Sequence, residues 1–412
     1  MSMGLERATM DGIGDPAGEG AARSVGGGAA AHGFRVPSLD GLRGLSFLIV
    51  FLSHAGLGKW MPASLGLGVF FVLSGYLITT LLRMEFERTG TIGLSQFYAR
   101  RMLRIFPGFY LILAVASALT YLHVIGGSVS GRGLAAQACH LSNYYIIGHG
   151  WWSDRAPGTW VYWSLAVEEH FYLVFPLCYL LMRRAGWSPR QQVFGLAAVC
   201  AIVLCWRYVL VYVLLAAKDR VYVATDTRVD SILCGCILAI CGNPALDARS
   251  SERGGQRFWL AAGIALLAAS LLVRDHRFEQ TLRYMLQGLG LLPIFVWAIL
   301  HPAGTVGRLL NSRMMCLLGT LSYTLYLVHT TALYAVHERL HLHAAPGGLV
   351  ALGLSLLVAL AVHRWVERPC GELRKRLTRA VAPRESVAAG NAAVPAARVP
   401  GQGSCLVASV TE

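Results

Sequence analysis

The feature that most constrains this chain is a succession of long apolar stretches, each close to the length that crosses a bilayer as a helix. In hydrocarbon every backbone N–H and C=O must be satisfied within the protein, so such stretches fold as helices. Ten are read, at about 43–58, 65–82, 105–122, 163–182, 193–216, 229–241, 257–273, 283–300, 314–336 and 347–366. The first and sixth are short for a full crossing, which predicts tilt, a break or a longer true extent. Composition agrees: 55% of residues are hydrophobic and 14% charged, against about 25% charged in an ordinary soluble domain. The expected fold class is all-α, a polytopic membrane bundle of roughly ten transmembrane helices.

Placement of the 36 Lys and Arg residues sets the expected orientation. Arg83, Arg88, Arg100, Arg101 and Arg104 follow the second stretch, Arg183, Arg184 and Arg190 the fourth, and Arg249, Arg253 and Arg257 the sixth. Arg374, Lys375, Arg376 and Arg379 follow the last, whereas the long segment 123–162 carries only Arg132 and Arg155. The positive-inside rule then puts both ends in the cytoplasm of a cell (inner) membrane protein. The loops 218–228 and 274–283, outward on this reading, are less clean, each mixing Arg with Asp or Glu.

Residues 1–33, rich in Gly and Ala, lack the basic and apolar regions of a signal peptide and read as a disordered cytoplasmic tail. Residues 380–412 read the same way, leaving 34–379 as the membrane domain. The net charge of +14 comes without a recognisable nucleic-acid module, so no nucleic-acid partner is expected. Six of the ten cysteines lie in apolar stretches, and Cys234-x-Cys236 lacks a second ligand pair, so neither disulfides nor thiol chemistry is expected.

Four strings carry candidate chemistry. Leu39-Asp40-Gly41-Leu42-Arg43-Gly44 leads into an apolar run ending at His54. Eleven residues place Arg43 and His54 on one helix face, roughly 16 Å apart. A histidine inside a span is a candidate proton acceptor, or a packed residue bonding a carbonyl. In Gly66–Leu77, Gly68, Ser74 and Gly75 predict a close helix approach. In Phe97–Pro107, Arg101 and Arg104 share a face and are suited either to clamping phosphates or to marking the cytoplasmic edge. In Thr159–Tyr172, Glu168 and Glu169 are too costly in a membrane to be filler, but point about 100° apart and cannot face one site equally. Either supports a reacting group or pairs with arginines of neighbouring helices.

Together the strings LDGLRGL with the later His54, GVFFVLSGYLI, RRMLRIFP and WSLAVEEHFY resemble the acyltransferase family 3 of bacterial integral membrane O-acyltransferases. Residues 225–231, 321–329 and 366–369 add weaker support, and the resemblance spans about Pro37 to Pro369. It implies transfer of an acyl group, acetyl above all, from acyl-CoA as co-substrate to a hydroxyl of a carbohydrate or glycoside such as a cell-envelope polysaccharide. It implies no permanently bound cofactor. Carried over, His54 is the catalytic histidine with Glu168 in support, as general base or transient acyl carrier. Arg43, Arg101 and Arg104 then meet the cofactor's phosphates, with Tyr323 and His329 as further cavity residues. His170 departs from the glutamine expected in many members. The stretch after Ala380 is too short for the esterase-like domain that some members carry.

Two other readings compete. A glycan or lipid exporter would use the same polar residues as a pathway, but no internal repeat supports inverted halves. His337-Glu338-Arg339-Leu340-His341 fits the H-E-x-x-H pattern of zinc hydrolases. It lies at the end of the ninth stretch with no obvious third ligand, so no metal is expected.

Overall fold

The computed structural model describes residues 36–152, 154–247, 255–342 and 344–381. The first expected tail, 1–33, and nearly all of the second, 380–412, lie outside the described residues. Those described form helices and connections, with no strand among them. The long helices are α1 (Pro37–Leu52), α2 (Ala63–Thr89), α3 (Leu94–Tyr121), α4 (Tyr162–Arg184), α5 (Pro189–Tyr208), α6 (Thr225–Ile240), α7 (Gln256–Leu272), α8 (Leu282–Leu300), α9 (Arg313–Leu340), α10 (Ala344–Val362) and α11 (Arg368–Val381).

Six helical segments are long and apolar enough to cross a membrane: Ala63–Thr89, Leu94–Tyr121, Thr159–Arg184, Pro189–Val213, Leu282–Leu300 and Ala345–Arg376. Their outer faces carry exposed large apolar side chains, such as Leu173 and Leu177 on α4, Phe194 and Ile202 on α5, and Leu357 on α10. Such faces suit hydrocarbon rather than water. The other four expected stretches fall on α1, α6, α7 and α9. Helices α1, α6 and α7 have 16, 16 and 17 residues. Helix α9 has 28, but Ser322, Tyr323, Thr324, Tyr326, His329 and Thr330 dilute its apolar character. The short first stretch does not end at Leu52: the chain continues into a π-helical turn, Ser53–Leu57, that carries His54. The sixth begins earlier than its apolar run, because Thr225–Arg228 is already helical.

Among the crossings where glycine lets backbones come together, two bear on the site. Where α1 meets α9, a Cβ on Gly44 would meet the Met315 carbonyl and one on Gly319 the Asp40 carbonyl, while one on Gly41 would meet the Leu310 carbonyl just before α9. Where α2 meets α6 the contact is reciprocal: a Cβ on Gly75 would meet the Ile232 carbonyl, and one on Gly235 the Val72 carbonyl. Small residues of this kind let membrane helices pack at short range, where dispersion rather than hydrophobicity holds them. Of the three small residues expected to do this in α2, Gly75 does. At Gly68 a Cβ would make only ordinary contact with Leu291, and Ser74 points to the cavity described below.

The first crossing can be tested by adding an isopropyl group. Gly319→Val should cost about 1–3 kcal/mol by overpacking, read as a lowered thermal midpoint of the purified protein. Gly353→Val on α10, where nothing lies within 4 Å of the new Cβ, should leave the midpoint unchanged. Equal midpoints for the two variants would remove the glycine crossing from the account.

Candidate active site

Helices α1, α2, α3, α4 and α9 wall a cavity with about 90 Å³ open to the centre of a water molecule. Three arginines from two helices share it: Arg43 from α1, and Arg101 and Arg104 from α3. Glu168 of α4 is on the same wall, with Ser74, Tyr172, Ser164, Ser322, Tyr323 and Tyr326. Arg104 is exposed, whereas Arg101, Ser74 and Glu168 are half-buried, so the cavity opens at Arg104 and deepens toward α4.

The spacing of Arg101 and Arg104, three residues apart on one helix, brings both side chains to the same cavity. Tyr323 fastens this helix to α9, its hydroxyl donating to the Ile105 carbonyl at 2.8 Å. The Arg101 guanidinium lies over the Tyr172 ring, 3.8 Å from its centre. Tyr172 in turn donates to Glu168 Oε2 at 2.6 Å, and Ser74 donates to the same oxygen at 3.1 Å. Arg43 keeps Asp40 at 3.6 Å, a loose ion pair one turn away. Against the three guanidiniums stand Glu168 and, beside Arg43, Asp40, which leaves an excess of positive charge in a space partly shielded from water. Such a cavity suits a ligand with several negative oxygens, and the planar forks match phosphate.

Glu169 does not share the site. It is absent from the cavity lining, where Glu168 is present, and its Oε1 is buried without a hydrogen-bond partner. His170 leaves the cavity too, its Nδ1 lying 2.7 Å from Thr225 Oγ1.

His54 and His329 form a pair beside the cavity rather than on its wall. His54 Nδ1 lies 3.0 Å from His329 Nε2. The π-helical turn, closed by Gly56 at φ +107°, carries His54 at the end of α1. The hydroxyl of Ser53 accepts from the Ala63 N–H at 3.1 Å and fixes the turn to α2. His329 is fully buried in the middle of α9. Tyr326 belongs to both places: its side chain lines the cavity, and its carbonyl lies 2.8 Å from His329 Nδ1. The Tyr326 hydroxyl is 2.6 Å from Ser164 Oγ, and its ring packs edge-on against Phe70.

On the other side of His54 is Trp160, with ring centres 5.0 Å apart. It follows a well-braced loop, in which buried Arg155 donates to the carbonyls of Gly150 and Trp151 at 2.9 and 2.8 Å. Hydroxyls of Ser130 and Tyr145 hold the Asp154 carboxyl below the ordinary carboxylate range.

The strings with weaker sequence signals have structural work. In residues 225–231, Asp230 forms a buried ion pair with Arg207 at 2.7 Å, and Arg228 stacks on Tyr284 at 3.7 Å. Glu367 accepts from Thr324 at 2.6 Å and contacts His363 at 2.8 Å, pinning the end of α10 to α9. In the H-E-x-x-H string both carboxylate oxygens of Glu338 accept the Gly126 N–H at 2.9 Å, and Arg339 donates to the Val124 and His123 carbonyls. Helix α9 ends at Leu340, and His341 caps it in the left-handed conformation, so the two histidines do not continue on one helical face. Among the described residues no cluster of three or more His, Cys, Asp or Glu has the arrangement of a metal site.

Ser74, Tyr172, Ser164 and Tyr326 were not singled out from sequence as site residues. A Ser or Tyr in a membrane helix is unremarkable until its partner on another helix is known. Tyr172 and Glu168 could have been paired from their four-residue spacing, which puts them on one face.

The acyltransferase 3 family model, an acyltransferase domain, matches residues 36–364. O-acetyltransferase OatA of Staphylococcus aureus strain NCTC 8325 / PS 47 is 29% identical over 350 residues, 81% of this chain and 57% of that protein. The proteins of the same name from strains COL and MRSA252 match to the same extent. The chain thus spans somewhat over half the length of these curated relatives. No solved structure matches.

If Glu338 is a clamp rather than a general base, Glu338→Ala should cost about 1–3 kcal/mol and leave metal content unaffected. Elemental analysis of the purified protein should find no stoichiometric zinc; one zinc per chain, lost in the variant, would reverse this assignment.

Proposed function

This chain belongs to the acyltransferase 3 family, and on that footing we propose that it is a membrane O-acetyltransferase using acetyl-CoA and a hydroxyl of a cell-envelope carbohydrate or glycoside. The observation that carries the reading is the meeting of Arg43, Arg101, Arg104 and Glu168 in one cavity, next to the paired His54. Coenzyme A brings a pyrophosphate and a ribose phosphate, and three guanidiniums lining one cavity can answer that charge with bidentate geometry. The name of the relatives, O-acetyltransferase, supports acetyl as the group moved.

In this reading α1, α6, α7 and α9 complete a ten-helix membrane core with the six apolar segments. Both termini face the cytoplasm of an inner membrane, with Arg104 at the cytoplasmic mouth. The pantetheine arm runs from the arginines toward Tyr326, and the acceptor approaches His54 from the side of Gly56–Trp60, which is exposed. His54 takes the proton of the acceptor hydroxyl. The oxygen forms a new bond to the thioester carbonyl carbon, the C–S bond breaks, and the thiolate of coenzyme A leaves and is protonated. Glu168, fixed by Tyr172 and Ser74, holds Arg101 and its stacked ring in place. The thioester supplies the drive for ester formation.

Purified protein in liposomes, given labelled acetyl-CoA and envelope glycan, should form base-labile acetyl ester. His54→Ala should lower kcat by about 100- to 10,000-fold while remaining folded and inserted. Arg101→Gln and Arg104→Gln should each raise KM for acetyl-CoA by about tenfold, the worth of one charge-assisted hydrogen bond. Full transfer by folded His54→Ala would remove His54 from the reaction.

A further inference from the structure

The pairing of His54 with His329 has a fixed direction. His329 Nδ1 lies 2.8 Å from the Tyr326 carbonyl and 3.2 Å from the Leu325 carbonyl. Carbonyl oxygens only accept, so Nδ1 of His329 carries a hydrogen. A neutral imidazole has one N–H, which leaves His329 Nε2 with its lone pair. That lone pair faces His54 Nδ1 at 3.0 Å, so His54 Nδ1 must be the donor. The remaining nitrogen, His54 Nε2, is then the one with a lone pair to offer a substrate.

The setting supports a fixed pair. The two rings are 13° from parallel, and the Phe47 and Phe51 rings stand 5.9 and 6.3 Å from His329. His329 is fully buried, while His54 is half-buried and reachable. The outer member can meet a substrate; the inner one cannot.

We propose that His329 is the positioning residue of the reaction, setting the tautomer and ring orientation of His54 through a directed chain from the Tyr326 carbonyl. The chain runs Tyr326 C=O, H–Nδ1 of His329, Nε2 of His329, H–Nδ1 of His54. This rests on the role of His54 proposed above. When Nε2 of His54 takes the acceptor's proton, the imidazolium still donates Nδ1–H to His329, and that bond strengthens because its donor is charged. The arrangement supplies with a second histidine and a carbonyl what a buried carboxylate supplies in other triads.

Two replacements separate positioning from packing. In His329→Gln the amide oxygen reaches the place of Nε2 and can accept from His54. In His329→Asn the amide stops at the place of Nδ1, where it can donate to the carbonyls but cannot reach His54. The labelled acetyl-CoA assay on full-length protein should find Gln within about tenfold of wild-type kcat and Asn lower by about 100-fold, with KM for acetyl-CoA unchanged in both. Equal kcat for Gln and Asn overturns the proposal. A measurement on the unsubstituted protein does not depend on how the variants fold. With ¹⁵N-labelled histidine, His54 should show a protonated Nδ1 and a bare Nε2, and the reverse pattern overturns the proposal. If wild-type protein transfers no label, or His54→Ala transfers as much as wild type, the proposed function itself fails, and that outcome is distinct from any ranking of Gln and Asn.

Discussion

At the crossing of α1 and α9 there is no room for a side chain on Gly44 or Gly319, because the opposing backbone carbonyls occupy the space. This close approach carries the rest of the site. It puts Arg43 on the wall of a cavity that α9 also lines, and sets the end of α1 against the middle of α9, where His54 meets His329. A bilayer offers little hydrophobic drive for helices to associate. The reach of two short polar side chains across a helix pair therefore depends on how closely the backbones can come. The π-helical turn at Ser53–Leu57 interrupts the regular helix at His54 and so helps set where its ring points.

The site has two compartments with one residue in common. The arginine cavity gathers three guanidiniums and one carboxylate and is open at Arg104, and the histidine pair is bounded by Phe47, Phe51 and Trp160. Tyr326 faces the first with its side chain and the second with its carbonyl. In the proposed function this arrangement keeps phosphate recognition apart from proton transfer. An imidazole proposed as base must stay neutral and keep a free lone pair, which a cluster of three guanidiniums in direct contact would influence strongly.

Much of this was legible in the sequence, to different depths. The all-helical class followed from apolar stretches whose backbone has no other way to satisfy itself in lipid. Arg43, Arg101, Arg104, Glu168 and Tyr323 were named as candidates, and the fold brings all five to one cavity. The placement of His54 was only half legible. Regular helix geometry put it on one face with Arg43, but a π turn is set by the hairpin closure between Ser53 and Ala63, which no periodicity reveals. The direct contact with His329, 275 residues away, is a tertiary fact with no local sign. The H-E-x-x-H string misleads for the reverse reason: its spacing is local and regular, but the carboxylate is held by the distant Gly126.

The measurement that bears most directly on the central claim is a cryo-electron microscopy structure of the protein in a lipid nanodisc with coenzyme A bound. The account predicts the phosphates against Arg43, Arg101 and Arg104, the thiol end at Tyr326, and His54 Nδ1 still at hydrogen-bond distance from His329 Nε2, as at the present 3.0 Å. Coenzyme A bound outside this cavity, or His54 turned away from His329 with the ligand in place, would contradict it.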